Sequence, residues 1–225
     1  MVESKKKPIM FCHLEKCAGT FIGQTVRNRA EKEKKHFMWV GHDIDDSIKK
    51  IMPNMFVVGN IRNPFSFYVS LWAFSGIHKK GHYDLFKTKY PQYLYLYSDS
   101  YNITHFRKWL RLILLTEEDL LNEGFARYMK QYNIGLLTSR FFELYNNADF
   151  TYLNNVDANP LVDHFIRVEN LKDDLNKIGL PYTNRITNKS KHHHYSEYYG
   201  EDEKALVYKL DNYIFKKFNY QPFLT

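Results

Sequence analysis

The sequence predicts an α/β fold in which a central parallel β-sheet is flanked by helices, with a helical elaboration in the middle of the chain. Three short apolar runs, each followed by a helical pattern, lie within the first 75 residues. Alternating strands and helices of this kind form parallel sheets joined by right-handed crossovers. The segment from about residue 80 to 160 instead carries helical patterns and many aromatic residues. We therefore expect a single domain over residues 1–225 that contains this middle segment as an insertion.

The first part of the chain is a succession of strand–helix pairs. Apolar runs predict strands at residues 8–14, 36–40 and 55–61. The helices expected after them cover residues 19–29, 43–52 and a stretch that begins at Pro64. The second of these helices has acids early and lysines late, as the helix dipole prefers. Proline is favoured in the first turn of a helix, which supports the third.

The rest of the chain is mostly helical in pattern. The segment 105–115 places Phe106, Trp109, Leu110 and Ile113 on one helical face. Further helices are expected at residues 117–132, 134–145, 170–178 and 201–218, with a late strand at 163–168. Two segments lack a clear period. We expect the tyrosine-rich segment 81–100 to be an irregular loop or lid, and the polar stretch 181–196 shows no core pattern.

The composition restricts the class of protein and of partner. With 44% hydrophobic and 25% charged residues the chain can bury a core. The net charge of +7 favours an anionic partner, although the run of lysines at 5–7 accounts for part of it as a solvated tail. Cys12 and Cys17 form neither a disulfide framework nor a zinc pattern, so both are expected to be reduced. Because no signal peptide and no apolar stretch of about 20 residues is present, we expect a cytoplasmic protein without a membrane span.

The first motif that carries chemistry is the strand–E-K-C-A-G-T–helix sequence at residues 15–20. Backbone N–H groups at the start of a helix have no partner within the helix, so an anion can bind there. Lys16 adds a mobile positive charge, Gly19 allows a close approach of the backbone, and Thr20 adds a hydroxyl donor. A Walker A loop, G-x-x-x-x-G-K-[ST], is absent. A plain strand–helix turn with a surface lysine would account for this motif equally well.

The second motif is I-R-N-P-F-S-F-Y-V-S at residues 61–70. Arg62 follows a predicted strand, and Ser70 lies two turns into the next helix. Arginine offers a forked donor to a phosphate, and serine adds a hydroxyl. An arginine–carboxylate pair and a buried helical serine would be the structural explanation of the same residues.

Together the two motifs resemble those of the sulfotransferases. H-L-E-K-C-A-G-T at 13–20 is similar to that family's 5′-phosphosulfate loop, H-x-P-K-T-G-G-T, and the second motif is similar to its 3′-phosphate motif, R-D-P-x-x-x-x-x-S. F-I-R-V-E-N-L at 165–171 and the closing N-Y-Q-P-F resemble two later stretches of the family. The resemblance is nearest to carbohydrate sulfotransferases related to the heparan 2-O- and 6-O-sulfating enzymes. The middle third of the chain matches none of these motifs.

The resemblance implies a P-loop-like sheet and a donor, 3′-phosphoadenosine 5′-phosphosulfate (PAPS), that leaves 3′-phosphoadenosine 5′-phosphate (PAP) as product, with no metal. Residues expected on the 5′ side of the donor are Lys16, Cys17, Ala18, Gly19, Thr20 and Phe21. Arg62 and Ser70 are expected to bind the 3′-phosphate. A basic loop that closes over the donor in the family corresponds to Lys189, Ser190 and Lys191.

The catalytic residues implied by the resemblance are His42 and Lys16. His42 follows the second strand, between the two donor-binding strands, and a histidine with a pKa near neutrality suits a general base for the acceptor hydroxyl. A helix-capping or surface histidine is the alternative interpretation. Asp43 is the next candidate for the base, although it is expected instead to cap the helix that follows. Lys16 would neutralise charge on the leaving phosphate.

The chain departs from the family's pattern at Glu15, Cys17, Ala18 and Asn63, which stand for Pro, Thr, Gly and Asp respectively. The histidines at 192–194 suggest a metal, but three consecutive side chains cannot all face one ion. A small-molecule kinase and a non-catalytic module that binds single-stranded nucleic acid remain alternatives at this point. The resemblance itself implies a hydroxyl-bearing acceptor rather than nucleic acid, and the basic charge favours an anionic glycan.

Overall fold

The computed structural model describes residues 7–41, 44–115, 123–157, 161–182 and 190–222. The chain forms two compact units, one from Met1–Arg62 with Arg140–Asn188 and the other from Asn63–Ser139 with Lys189–Thr225. The chain therefore passes between the units at three points in its sequence. A single domain over residues 1–225 stays a prediction.

The strands and helices appear in the order that the alternation predicts. The strands are β1 (Ile9–Cys12), β2 (Phe37–Val40), β3 (Phe56–Ile61) and β4 (His164–Arg167). The helices of the described residues are α1 (Gly19–Lys32), α2 (Asp46–Ile51), α3 (Pro64–His78), α4 (His82–Lys89), α5 (Ile103–Leu115), α6 (Glu123–Tyr132), α7 (Leu136–Tyr145), α8 (Leu171–Lys177), α9 (Glu201–Leu210) and α10 (Asn212–Phe218). Short 3₁₀ turns lie at Met52–Asn54, Pro91–Tyr97, Phe150–Asn154, Val168–Asn170 and Tyr195–Tyr198.

The four strands form one all-parallel sheet in the first unit, with the order β2-β1-β3-β4. Ile9 of β1 is aligned with Phe37 on one side and with Phe56 on the other. This confirms the α/β class and the central parallel sheet. Since all strands run the same way, the ends of β1 and β3 meet at one edge, where α1 also begins.

Helices cover both faces of this sheet. On one face Phe11 and Val58 pack with Ile22 of α1 and Leu175 of α8 in a single buried cluster. On the other face the end of α7 contributes Phe141 and Tyr145, whose rings lie 5.5 and 5.0 Å from that of Phe165. The sheet is therefore buried on both sides, as apolar strands without alternation require.

The second unit is organised around aromatic side chains. Trp72 of α3, Phe106 of α5 and Tyr198 form a mutual cluster with ring centroids 5.2–5.8 Å apart, and all three are buried. Phe106, Trp109, Leu110 and Ile113 are the buried residues of α5, so the predicted apolar face is confirmed. Phe86, Leu96 and Tyr97 of the tyrosine-rich segment 81–100 are buried too, so that segment contributes to a core in this unit.

Two sequence-based predictions of secondary structure were wrong. Residues 81–100 are not irregular, because α4 and a 3₁₀ turn at Pro91–Tyr97 occupy most of the segment. The predicted single helix at 201–218 is two helices, α9 and α10, that meet at Asp211. Asp211 interrupts the helix because its buried carboxylate is held by residues of other elements, described below.

Three more boundaries differ from those expected. Asp45, not Asp43, caps α2 by accepting hydrogen bonds from two backbone N–H groups, and Asp43 lies outside the described residues. In the stretch 181–196, which shows no core pattern in sequence, Tyr182 is partly buried and packs against the apolar cluster of the first unit, and Ser190 is a buried polar residue. The helices expected at 117–132 and 134–145 begin at Glu123 and Leu136 in the described part of the chain.

None of the described helices combines the length and the apolar character needed to cross a membrane.

Candidate functional site

The loop from His13 to Ala18 joins β1 to α1 in the first unit, and it contains two residues with left-handed backbone. Lys16 has a φ of 58° and Ala18 a φ of 57°. Non-glycine residues adopt this region rarely, because Cβ approaches the following carbonyl oxygen. Ala18 also serves as the N-cap of α1, whose first residue is Gly19. The loop is therefore a strained turn that delivers the chain directly into a helix.

The side chain of Asn60, on β3, holds this loop in place through hydrogen bonds to its backbone. Its side-chain oxygen accepts a hydrogen bond from the backbone N–H of Leu14 at 2.7 Å. Its side-chain nitrogen donates to the carbonyl oxygens of Leu14 at 3.0 Å and Cys17 at 2.7 Å. Asn60 is completely buried, so these bonds satisfy a polar side chain that would otherwise be costly in the core.

Arg62 places a second cation beside Lys16. Its Nη1 donates to the carbonyl oxygen of Lys16 at 3.2 Å. Burial, followed by the charge of Arg62, lowers the pKa of the half-buried Lys16 to about 8. A positive site at the carboxyl ends of β1 and β3 is suited to an anion, which would stabilise both charges.

The start of α1 adds backbone donors to these two cations. Within the described part of the chain, no hydrogen bond uses the backbone N–H groups of Cys17, Ala18, Gly19, Thr20 or Phe21. A peptide group is planar, so the N–H of each residue points opposite to the carbonyl of the residue before it. The Lys16 and Cys17 carbonyls face Arg62 and Asn60, and the N–H groups of Cys17 and Ala18 consequently point the other way.

The side chains of the loop divide between packing and exposure. Cys17 is buried, and burial holds the pKa of its thiol well above the usual range, so only its backbone is suited to bind a ligand. Phe21 is also buried and packs edge-on against Tyr182 with centroids 6.1 Å apart. Thr20 is exposed at the helix start. A Cβ at Gly19 would lie 1.8 Å from the ring of His13, so a side chain there would require that ring to move.

Glu15, the acid that replaces a proline in the resemblance, is held by an ion pair. Nε of Arg140, on α7, lies 3.0 Å from the Glu15 carboxylate, and Nη1 lies 2.6 Å from Glu143. Arg140 is only 4% exposed, so this contact is well shielded from water. The pair offsets a negative charge that would otherwise oppose an anion at the neighbouring Lys16.

The remaining expected donor contacts belong to the second unit. Ser70 is buried on α3, and Ser190 is buried with no hydrogen-bond partner for its hydroxyl among the described residues. Lys191 has an exposed side chain, and its carbonyl accepts a bond from the Ser100 hydroxyl at 2.8 Å. Asn63, which begins this unit, caps α3 by accepting from the N–H of Phe65.

His42 and Lys189 lie outside the described residues, so their expected roles stay predictions. The strand that precedes His42 does correct one expectation. β2 lies at the edge of the sheet next to β1, and not between the two donor-binding strands β1 and β3. β2 comes between β1 and β3 in the sequence, but β3 pairs directly with β1, so sequence order did not predict the order of strands in the sheet.

Sequence reasoning missed three residues of the first unit that build the site. They are Asn60, Arg140 and Tyr145, whose hydroxyl lies 2.8 Å from the carbonyl oxygen of Asn60. A buried asparagine in the apolar run M-F-V-V-G-N-I was the available signal, since such a side chain needs partners. Arg167 of the R-V-E-N-L stretch binds the buried Asp174; burial raises the pKa of that carboxyl, but hydrogen bonds from Arg167 and Lys177 outweigh burial and lower it to about 2.

The histidines at 192–194 have local partners. His194 caps the 3₁₀ turn that follows it, through Ser196, and the ring of His193 lies 4.8 Å from that of Tyr101. In the described ranges, no group of three or more His, Cys, Asp or Glu side chains is arranged to hold a metal ion.

Comparison of the chain with protein-family models, with curated proteins and with solved structures found no match. The function is therefore argued from the geometry of the loop and its neighbours.

Proposed function

We propose that the chain is a sulfotransferase that transfers a sulfuryl group from PAPS to an acceptor hydroxyl. One observation carries the proposal: a row of backbone N–H donors at residues 17–21 begins beside two cations, Lys16 and Arg62. Oriented N–H groups and fixed cations are the usual means by which a strand–loop–helix turn binds a phosphate. The resemblance to the sulfotransferase loop favours PAPS over other phosphate ligands. The same resemblance supports a P-loop-like fold.

The proposed division of the donor follows from these groups. The loop residues Lys16 to Phe21 bind the 5′-phosphosulfate, chiefly through backbone N–H groups and the Lys16 ammonium. Arg62 binds the 3′-phosphate. Ser70, Lys189, Ser190 and Lys191 are further donor contacts that the resemblance alone implies.

The reaction is an in-line displacement at sulfur. The acceptor oxygen forms a bond to sulfur while the bond from sulfur to the 5′-phosphate oxygen breaks, and PAP leaves with that electron pair. The acceptor proton passes to His42 as general base. Lys16 stabilises the charge that grows on the leaving phosphate oxygen, which is the point of greatest change in the transition state.

The acceptor follows less directly from the structure. The net charge of +7 would raise the local concentration of an anionic acceptor such as a charged glycan. We therefore propose an anionic glycan hydroxyl as the first acceptor to screen, with lipid, peptide and small-molecule hydroxyls after it.

A thermal-shift titration with PAP, AMP, ADP and Mg²⁺-ATP tests the donor. A ligand that binds only the folded chain stabilises it by an amount that grows with ligand concentration over Kd. At about 100 times Kd, PAP should raise the Tm by about 5 °C or more. ADP has two phosphates on the 5′ side and none at the 3′ position, so it should give a smaller shift. A shift with Mg²⁺-ATP and none with PAP would instead indicate the kinase alternative.

Two variants connect the shift to the site. Arg62→Ala and Lys16→Ala should each abolish most of the PAP shift, because each removes a cation from the site. Arg27→Ala is the matched control, since Arg27 is exposed on α1 and stacks over Phe37 and Trp39. An unchanged PAP shift in both site variants would refute the assignment of the loop.

A further inference from the structure

The loop between β1 and α1 keeps a conformation that its own residues disfavour. Lys16 and Ala18 are both left-handed, and each such residue costs about 1–2 kcal/mol relative to ordinary backbone. Strained backbone of this kind persists only where the surroundings determine it. The contacts that hold the loop in this conformation therefore also determine the geometry that it offers to a ligand.

The Asn60 carboxamide supplies those contacts at three backbone groups. It binds Leu14 at both the N–H and the carbonyl, and it binds the carbonyl of Cys17 between the two left-handed residues. With the Cys17 carbonyl turned toward the core, the N–H of Ala18 must point away from it. The direction of this donor is thus set by a side chain that cannot itself reach a ligand from its buried position.

Tyr145 in turn holds the backbone of Asn60. The Tyr145 hydroxyl accepts the N–H of Asn60 at 3.0 Å, and it lies 2.8 Å from the Asn60 carbonyl oxygen, to which it donates. Both side chains are completely buried. Hydrogen bonds in a low-dielectric core are strong and costly to break. The hydrogen bonds that connect Tyr145 to Asn60 and Asn60 to the loop therefore hold the loop rigidly.

We propose that Asn60 is a positioning residue for the 5′-phosphate of the donor, and that Tyr145 keeps it in place. Asn60 sets the direction of the loop N–H groups without touching the ligand. This inference rests on the proposed function. It adds that the binding of the 5′-phosphate is prepared before the donor arrives, by residues that no sulfotransferase motif in the sequence includes.

The test compares two ligands that differ only in the 5′-phosphate. PAP carries phosphates at the 3′ and 5′ positions, and adenosine 3′-monophosphate lacks the 5′ group. The ratio of their Kd values, measured by calorimetry or by ligand-detected NMR, reports the contribution of the loop alone. We expect the wild-type chain to prefer PAP, and Asn60→Leu to reduce that preference about tenfold. Tyr145→Phe deletes one hydroxyl and should reduce it about threefold, while Kd for adenosine 3′-monophosphate stays unchanged.

Tyr97→Phe is the matched control for loss of a buried tyrosine hydroxyl. Tyr97 accepts the indole N–H of Trp109 at 2.7 Å and belongs to the second unit, whereas the loop belongs to the first. Its removal should lower the Tm without changing the ligand ratio. Should Asn60→Leu fail to fold, Tyr145→Phe carries the test alone.

The outcomes separate the two proposals. If the wild-type chain prefers PAP and neither site variant changes that preference beyond the Tyr97→Phe control, the positioning role is wrong and the donor site stands. If the wild-type chain shows no preference for PAP, the loop binds no 5′-phosphate, and the proposed function falls together with the positioning role.

Discussion

Lys16 is the residue whose charge state has the clearest functional consequence. Burial and the nearby Arg62 favour its neutral form and lower its pKa to about 8, from 10.5 for an ordinary lysine. At pH 7 the ammonium is still mostly protonated, so an anion meets two positive charges. Half a pH unit above 8, most chains have lost one of them.

Binding of PAP should therefore weaken as pH rises through about 8. The protonated lysine attracts the anion, and binding must supply that proton once it has dissociated, so Kd increases above the pKa of the free chain. Kd measured from pH 6.5 to 9.5 checks this. Lys16→Met should bind weakly at every pH and show no inflection near 8. A wild-type Kd that stays flat across this range would show that Lys16 does not contact the donor.

Asp211 carries a second perturbed group, in the second unit. Its completely buried carboxylate accepts from the Tyr68 hydroxyl at 2.6 Å and from the N–H and hydroxyl of Thr138 at 2.9 and 2.8 Å. Burial raises its pKa from 3.8 to about 6, even though these hydrogen bonds lower it. The folded chain therefore holds this proton more tightly than the unfolded chain does.

The sign of the pH effect follows from that difference. The contribution of Asp211 to stability is fully present below about pH 4 and is lost as pH rises through about 6, for a total of about 3 kcal/mol. Asp211→Asn removes the titration. We expect the free energy of unfolding of wild type minus variant, from urea titrations, to fall between pH 4 and pH 6.5. A difference that is constant with pH would contradict the raised pKa.

At the scale of elements, the contact between α1 and the sheet depends on Gly23. A Cβ at Gly23 would lie 2.4 Å from the ring of Trp39 on β2 and 2.9 Å from Phe11 on β1. Alanine is the better helix former by about 1 kcal/mol, so a free helix would gain from the change. Overpacking in a core costs about 1–3 kcal/mol, which exceeds that gain.

Gly23→Ala should therefore destabilise the chain by about 1 kcal/mol, as measured by urea unfolding. Gly41→Ala is the control, because nothing lies within 4 Å of a Cβ there. Trp39→Phe removes the ring atoms nearest the new methyl group, so the double variant should lose less than the sum of the single changes. Additive losses would show that the helix shifts to make room.

How far the sequence predicted these elements depended on the kind of signal. Apolar runs followed by helical patterns predicted the strands and α1 well, because burial on both faces leaves a continuous apolar run. Residues 81–100 were missed because tyrosine suits both a core and a surface, so α4 showed no usable period. The order of the strands could not be read either, since it depends on which strands pair.

The candidate site was predictable in part for the same reason. Lys16, Gly19 and Arg62 stand in recognisable spacing, and the structure brings the loop and Arg62 together through the Lys16 carbonyl. Asn60, Arg140 and Tyr145 act at the loop through hydrogen bonds that join residues 43, 46, 85 and 125 positions apart in sequence. Spacing along a chain contains no record of such contacts, and only the fold shows them.

At the scale of the whole molecule, the second unit depends on the end of the chain. Tyr198 completes the cluster with Trp72 and Phe106, and Asp211 binds Tyr68 and Thr138. Without these partners, a buried aromatic cluster loses a member and buried polar groups lose their acceptor.

A chain that ends at residue 188 should therefore lose the fixed structure of the second unit. Trp72 and Trp109 lie in that unit, so their near-ultraviolet circular dichroism should largely disappear. A chain that ends at residue 222 is the control and should keep the wild-type signal. Retention of the tryptophan bands by the shorter chain would show that the unit folds without Tyr198 and Asp211.

The three passages of the chain between the units also affect its synthesis on the ribosome. Arg107 reaches the carbonyl of Tyr198 across 91 residues, and the β1–β3 pair waits for β4. At translation rates of about 5–20 residues per second, the apolar face of α5 stays uncovered for about 5–20 s after it emerges. The sequence of the first unit is complete at residue 188, whereas the second unit still lacks its last segment at that point, so nascent chains expose an apolar surface to chaperones until Tyr198 has been synthesised.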